Sequence, residues 1–255
     1  MPRLTPLPLT PGFLARPIAH RGLHTRVRGI IENTRAAFDA AISGGFGIEC
    51  DIQASRDGEA MVFHDFTLDR LTEGTGRVDG VDAGALGEIP FLQGTSRMEP
   101  LGALLAQVAG RVPLVVEVKS RFEGDGRIAT RIAALVRDYA GPLVLKSFDP
   151  GKIIALREAG VKQPLGIVAT ADYADHDYES LSADEKHALA NLLHINESKP
   201  DFLSWDHRYL PSAAPFLCRS QLGLPVMSWT IRSREAAAKV APHVDQIVFE
   251  GFDPA

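Results

Sequence analysis

Residues 47–64 read Gly47-Ile48-Glu49-Cys50-Asp51-Ile52-Gln53-Ala54-Ser55-Arg56-Asp57-Gly58-Glu59-Ala60-Met61-Val62-Phe63-His64. Successive side chains of a strand point to opposite faces. Ile48, Cys50 and Ile52 therefore share one face and Glu49 and Asp51 the other. The apolar face has to meet helices, so the two carboxylates point to the inside of the sheet. Between Gln53 and Met61 the chain is too short for a parallel crossover. Asp57-Gly58 is a hairpin signal. Met61–His64 is expected to run back antiparallel along the same strand.

Outward from this stretch, β-rich runs alternate with helical periodicity. The expected strands are 17–20, 47–53, 114–119, 143–148, 165–169, 202–206, 226–231 and 246–250. Helices are expected over 34–42, 101–108, 127–139, 152–159, 183–193, 212–222 and 234–240, with Asp149-Pro150 opening one and Gly160 closing it. Eight strands with interleaved helices make an α/β protein, a (β/α)8 TIM barrel with a β-hairpin and a glycine-rich insertion after strand 2. A doubly wound open sheet is the alternative. The insertion spans about 65–100 and holds glycines 74, 76, 80, 84, 87 and 94. A long irregular excursion of this kind is usually functional. Neither a linker nor an internal repeat divides the chain, so residues 1–255 are expected to form a single TIM-barrel domain.

Composition narrows the function. The 255 residues carry 27 Lys plus Arg against 32 Asp plus Glu, a formal charge of −5. Such a chain lacks the field of a general nucleic-acid binder. Hydrophobic residues at 45% and charged residues at 23% are ordinary for a globular protein and exclude a mainly disordered chain. Cys50 and Cys218 cannot build a disulfide framework, and Cys50 reads as a small core residue. No apolar run approaches the length of a membrane span. Pro2, Pro6, Pro8, Pro11 and Pro17 break up the N-terminal apolar residues, which argues against a signal peptide. A cytoplasmic protein is expected.

Reactive groups of such barrels stand where strands end at the carboxyl face. The first strand ends His20-Arg21-Gly22, a pair able to bind and protonate an oxyanion or to make a plain surface salt bridge. Glu49 and Asp51 need a cation or a proton, because paired buried anions repel and lose hydration. The third barrel strand adds Glu117 and Lys119 on one face. Glu117 completes an oxygen triad, a donor set that favours Mg2+ or Ca2+. Lys119 is placed to hold a phosphate oxygen, or the group is an ordinary internal ion-pair cluster. The hairpin returns His64 to the same rim, with Asp65 either orienting the imidazole or capping the turn. Two histidines beside one ion suit acid–base phosphoryl chemistry.

These motifs, in order, resemble the glycerophosphodiester phosphodiesterase family. The match runs through His20-Arg21-Gly22, Glu32-Asn33-Thr34, Glu49-x-Asp51, Asp57-Gly58, His64-Asp65 and Thr67-Leu68-Asp69-Arg70. It continues with Glu117-Val118-Lys119, Ser147-Phe148 and Trp229-Thr230. The resemblance implies a TIM-barrel hydrolase of lipid and glycerol metabolism that cleaves glycerophosphodiesters to glycerol 3-phosphate and an alcohol. It implies His20 and His64 as the acid–base pair and one divalent cation, Mg2+ or Ca2+, on Glu49, Asp51 and Glu117. Arg21 and Lys119 follow as phosphate grips and Trp229 as a wall for the glycerol. The nucleophile is either a water on the ion or the substrate's own hydroxyl. Glu32 and Asn33 cap the first helix or touch substrate.

Two departures stand out, Phe249-Glu250 at the end of the last strand and Ile231-Arg232 after Trp-Thr. Both are read as bearing on headgroup preference. Trp205-Asp206-His207 stands at a strand end without a counterpart. His24 and histidines 176, 187, 194 and 243 read as surface or helix residues. The expected partner is a small glycerophosphodiester, with no nucleic acid and no transmembrane segment, and the chain is compatible with a homo-oligomer. Alternatives are a related barrel phosphodiesterase acting on lysophospholipids, a metallo-amidohydrolase and a non-catalytic phosphodiester-binding barrel.

Overall fold

The computed structural model describes residues 7, 9, 13, 15–25 and 29–254. The N-terminal prolines 2, 6, 8 and 11 lie outside the described residues. In chain order the barrel strands are β1 (Ile18–Ala19), β2 (Gly47–Ala54), β4 (Leu114–Val118), β5 (Leu143–Ser147), β6 (Leu165–Ala169), β7 (Phe202–Asp206), β8 (Val226–Ile231) and β9 (Gln246–Phe249), with β3 (Ala60–Val62) as the hairpin's return strand. The sheet runs β1-β9-β8-β7-β6-β5-β4-β2-β3, and β1 also pairs with β2, which closes eight parallel strands into a barrel. The open-sheet alternative is thereby excluded.

The helices between strands are α1 (Arg35–Gly44), α3 (Leu101–Val108), α4 (Arg127–Val136), α5 (Pro150–Glu158), α6 (Ala183–Ala190), α7 (Ile195–Ser198), α8 (Ala213–Leu222) and α9 (Arg234–Val240), with α2 (Ala83–Glu88) inside the insertion. The helix expected over 183–193 ends at Ala190, with the short α7 following beyond the expected range, and α2 went unforeseen because it is only 6 residues long. Asp149 caps α5 as expected: its side chain accepts from the Gly151 amide at 2.7 Å, with Pro150 in the first turn.

Strand periodicity divides the core in two. Ile48, Cys50, Ile52, Val116 and Leu145 point outward and are fully buried against the helix layer. Ile18, Val115, Val144, Phe202 and Val248 point inward and fill the lower barrel. Two residues further along the same strands stand His20, Glu117, Lys146, Ser204 and Glu250. The apolar floor and the polar rim are thus successive layers of one alternating pattern. Gly166 belongs to that floor: a Cβ there would meet the Phe202 ring at 2.3 Å, so the missing side chain is what lets the phenyl ring enter.

β2 is longer than its neighbours and rises past the end of β4. The chain turns at Gly58, whose φ is +85°, and returns with Ile52 opposite Val62 and Ala54 opposite Ala60. The Phe63 amide then donates to Asp51 O at 3.0 Å, which brings the next residue, His64, back to the rim. The insertion that follows buries Leu68, Val78, Leu86, Phe91 and Met98 against Met61 and Phe63 of the hairpin, despite its glycines.

Candidate active site

Asp51, Glu117 and Lys146 are cross-strand neighbours on β2, β4 and β5. Glu49 lies one inward position below Asp51. Candidate ligand oxygens of Glu49, Asp51 and Glu117 all lie within 4.8 Å of one another, and the three side chains are buried. Three carboxylates with no sulfur or imidazole among them are a donor set suited to a hard divalent cation.

Every oxygen of that trio also has a donor from the protein. Lys119 Nζ reaches Glu117 at 2.7 Å and Asp51 at 3.2 Å. Lys146 Nζ lies 3.1 Å from Glu49 and 3.2 Å from Glu117. The Arg21 amide donates to Glu49 at 3.1 Å, and Asn33 Nδ2 donates to Asp51 at 2.9 Å. Burial raises the Asp51 pKa, but Lys119, His64 and Arg21 outweigh it and hold the group well below the usual carboxylate range. For Glu117, burial is likewise outweighed, by Lys119 and Lys146, and its pKa falls to about 2. The lysines respond in kind: burial lowers both, and the carboxylates more than reverse it.

Arg21 and Asn33 take left-handed backbone, each with φ of +55°. Asparagine tolerates that region; arginine does so rarely, and such residues concentrate at functional sites. The turn aims the Arg21 amide at Glu49 while the Asn33 amide donates to Arg21 O at 2.9 Å. Glu32 neither caps the first helix nor stands free. Its carboxylate takes Arg21 Nη1 at 2.6 Å and Arg70 Nη2 at 2.7 Å. Burial would raise its pKa, but Arg70 and Arg21 bring it to about 2.

His20 and His64 line one cavity of about 390 Å3, together with the acidic trio and Trp229. His64 Nδ1 is 2.7 Å from Asp65, whose other contacts come from Arg70, so Asp65 orients the imidazole. Gln53 Nε2 donates to the carbonyls of His64 and Asp65 at 2.8 and 3.0 Å and fixes this corner. His20 Nδ1 is 2.7 Å from Glu250, whose pKa the His20 contact lowers to about 2. An ionised carboxylate only accepts hydrogen bonds, so in both pairs Nδ1 carries the proton and Nε2 is left for chemistry.

Glu250, which the sequence offered only as a departure bearing on headgroup preference, is the Nδ1 partner of His20. Arg232 joins it at 3.3 Å. His24 is also placed differently from a surface residue: it is half-buried, with a ring nitrogen within 4.8 Å of the His20 and Glu250 ligand atoms.

Trp229 sits at an irregularity in the β8–β9 register between Ser228 and Ile231. Its indole donates to Ser204 O at 3.0 Å and its ring meets Phe148 edge-on at 5.5 Å. Of Trp205-Asp206-His207, Trp205 packs against the helix layer and Asp206 caps a short turn, while His207 lines the cavity and contacts Trp229 O at 3.1 Å. A wider cavity of about 740 Å3 opens beside His64, walled by Phe66, Arg70, Arg121, Phe122 and Tyr178. Lys146, absent from the expected site, was detectable by alternation, because it shares the inward face of β5 with Val144.

A barrel whose carboxyl rim presents two carboxylate-held imidazoles around a lysine- and arginine-lined acid cluster is equipped for acid–base chemistry on a phosphate ester. The model of the Glycerophosphoryl diester phosphodiesterase family matches residues 20–248. The chain belongs to that family and is an enzyme of it. YhdW of Bacillus subtilis (strain 168) is 26% identical over 242 residues, 91% of this chain and 92% of that protein. The glycerophosphodiester phosphodiesterase of Caldanaerobacter subterraneus subsp. tengcongensis is 48% identical over 62 residues, 24% of each chain. The structure of an Oleispira antarctica phosphodiesterase, OLEI02445, in complex with the product sn-glycerol-3-phosphate superposes with a TM-score of 0.76 at 19% identity, covering 93% of both chains. Among the described residues no helix is long and apolar enough to cross a membrane.

Proposed function

We propose that this enzyme hydrolyses glycerophosphodiesters to glycerol 3-phosphate and an alcohol, with His20 and His64 as the acid–base pair and a divalent cation, Mg2+ or Ca2+, on Glu49, Asp51 and Glu117. The observation that carries it is the joint placement of two Nδ1-anchored histidines and the acidic trio in one cavity. Family membership and the product bound to the Oleispira enzyme support the substrate class.

When bound, the ion supplies charge neutralisation at a non-bridging phosphate oxygen. The chain's own residues do the rest. Arg21 and Lys119 stand beside the trio and offer N–H donors to the phosphate as charge builds on it. Trp229, braced by Ser204 and Phe148, gives the glycerol a flat wall. One histidine Nε2 takes a proton from the nucleophile, a water or the glycerol's own hydroxyl, and the other, protonated on Nε2 as well as Nδ1, gives that proton to the departing alcohol oxygen; where the hydroxyl attacks, water then opens the cyclic ester with the two histidines in exchanged roles. Glu250 and Asp65 keep those two nitrogens directed into the cavity. The wider cavity beside His64 is the space for the alcohol. Residues 1–255 would serve this reaction as a single barrel domain, with segment 65–100 contributing the Arg70 end of that wall.

The test is incubation with glycerophosphocholine, glycerophosphoethanolamine and lysophospholipid, with and without divalent ion, with detection of glycerol 3-phosphate. Release of glycerol 3-phosphate from the first two supports the reading. Exclusive turnover of lysophospholipid would overturn it.

A further inference from the structure

Lys146 lines the cavity without a use in the proposed reaction, and its position is dictated by the backbone. Glu117 and Lys146 are cross-strand partners on β4 and β5, and Val144, two residues earlier, lies in the inner apolar layer. The side chain must therefore point into the barrel, where it is 2% exposed. Its ammonium lies between Glu49 Oε1 at 3.1 Å and Glu117 Oε2 at 3.2 Å. Those are two of the three carboxylates to which a divalent cation is assigned. With Lys119 and Arg21 the trio faces three cationic side chains, so its charge is balanced by the chain itself.

We infer that Lys146 is a resident counter-cation that competes with the divalent ion for Glu49 and Glu117 and so sets the ion affinity of this enzyme. The inference rests on the proposed reading of the trio as an ion site. Two positive charges sharing the same oxygens repel strongly where water is excluded. An ion must therefore either displace the ammonium or bind against it, and both weaken binding. In return the lysine removes the cost of leaving buried carboxylates unpaired, so folding of the barrel interior does not depend on metal. A neutral residue at position 146 reverses both effects.

The experiment compares wild type, Lys146→Gln, Lys146→Arg and Glu49→Gln, each prepared with Ca2+ and then dialysed against chelator. Ca2+ and Mg2+ binding is measured by calorimetry, and the thermal midpoint is measured with and without Ca2+. Lys146→Gln should bind Ca2+ at least about tenfold more tightly than wild type, a difference of about 1.4 kcal/mol. It should melt below wild type in chelator and gain more from Ca2+. Lys146→Arg, with the charge kept, should bind Ca2+ no more tightly than wild type, and Glu49→Gln should lose binding. If Lys146→Gln does not survive dialysis, Lys146→Met, which fills similar volume without charge, provides the comparison. Equal or weaker Ca2+ binding by the neutral variants, with Glu49→Gln still losing it, overturns the role of Lys146 and leaves the ion site standing. No ion binding by wild type or any neutral variant overturns the ion site itself, and the inference with it.

Discussion

Each rim histidine owes its working tautomer to one carboxylate. His64 has Asp65 as its chain neighbour, whereas His20 has Glu250 at a separation of 230 residues. That difference explains why the sequence offered Asp65 as an orienting partner, beside a turn cap, and gave no sign that Glu250 holds His20. His20→Ala and His64→Ala are each expected to lower kcat by about 10²–10⁴-fold, the usual loss for a sole acid or base. Circular dichroism and thermal melts should stay native, and wild-type turnover in either variant removes the assigned role. Glu250→Gln is expected to release the His20 tautomer and lower kcat by roughly 10-fold or more with little change in KM. An unchanged kcat would make Glu250 a bystander.

At the level of elements, the hairpin β2–β3 and the insertion behind it decide where His64 stands. Asp57-Gly58 announced the turn, because glycine accepts the positive φ the turn requires. The alternation in 47–54 announced which residues face inward. The insertion was harder: it read as a long glycine-rich excursion, yet Leu68 and Phe91 bury themselves with Phe63 of the hairpin in a local cluster that no periodicity marks. Phe63 is fully buried and lies directly before His64. Phe63→Ala is expected to cost about 3–5 kcal/mol, measured by urea unfolding, with a fall in kcat from a displaced imidazole. A loss below 1 kcal/mol would show that the cluster does not support the rim.

Glu32 belongs to the same scale, since it ties Arg21 after β1 to Arg70 of the insertion. Its carboxyl titrates near 2 in the folded protein, against about 4.3 unfolded. A carboxyl with a depressed folded pKa contributes fully above the unfolded value and loses that contribution as pH falls through the folded one. Stability should therefore decline between about pH 4.3 and 2. Glu32→Gln should lower stability at neutral pH by roughly 1–3 kcal/mol and flatten the acid limb of the curve. An unaltered acid limb would show that the Arg21–Glu32–Arg70 link contributes nothing to folding.

For the whole molecule, barrel closure sets β1 beside both β9 and β2, so residues from the two ends of the chain meet at one cavity. Chelation by EDTA is expected to lower turnover, with Mg2+ or Ca2+ restoring it; full activity in chelator would remove the ion from the mechanism. The amino-acid sequence by itself determined the barrel, the inward direction of Glu49, Asp51, Glu117 and Lys119, and the return of His64. All of these follow from local periodicity and turn chemistry, which act over a few residues. Tertiary structure alone decided that Glu250 holds His20, that Glu32 bridges two arginines and that the inward-facing Lys146 reaches Glu49 and Glu117. Those contacts depend on strand register and on distances across a closed barrel, and neither is written in any short stretch of chain.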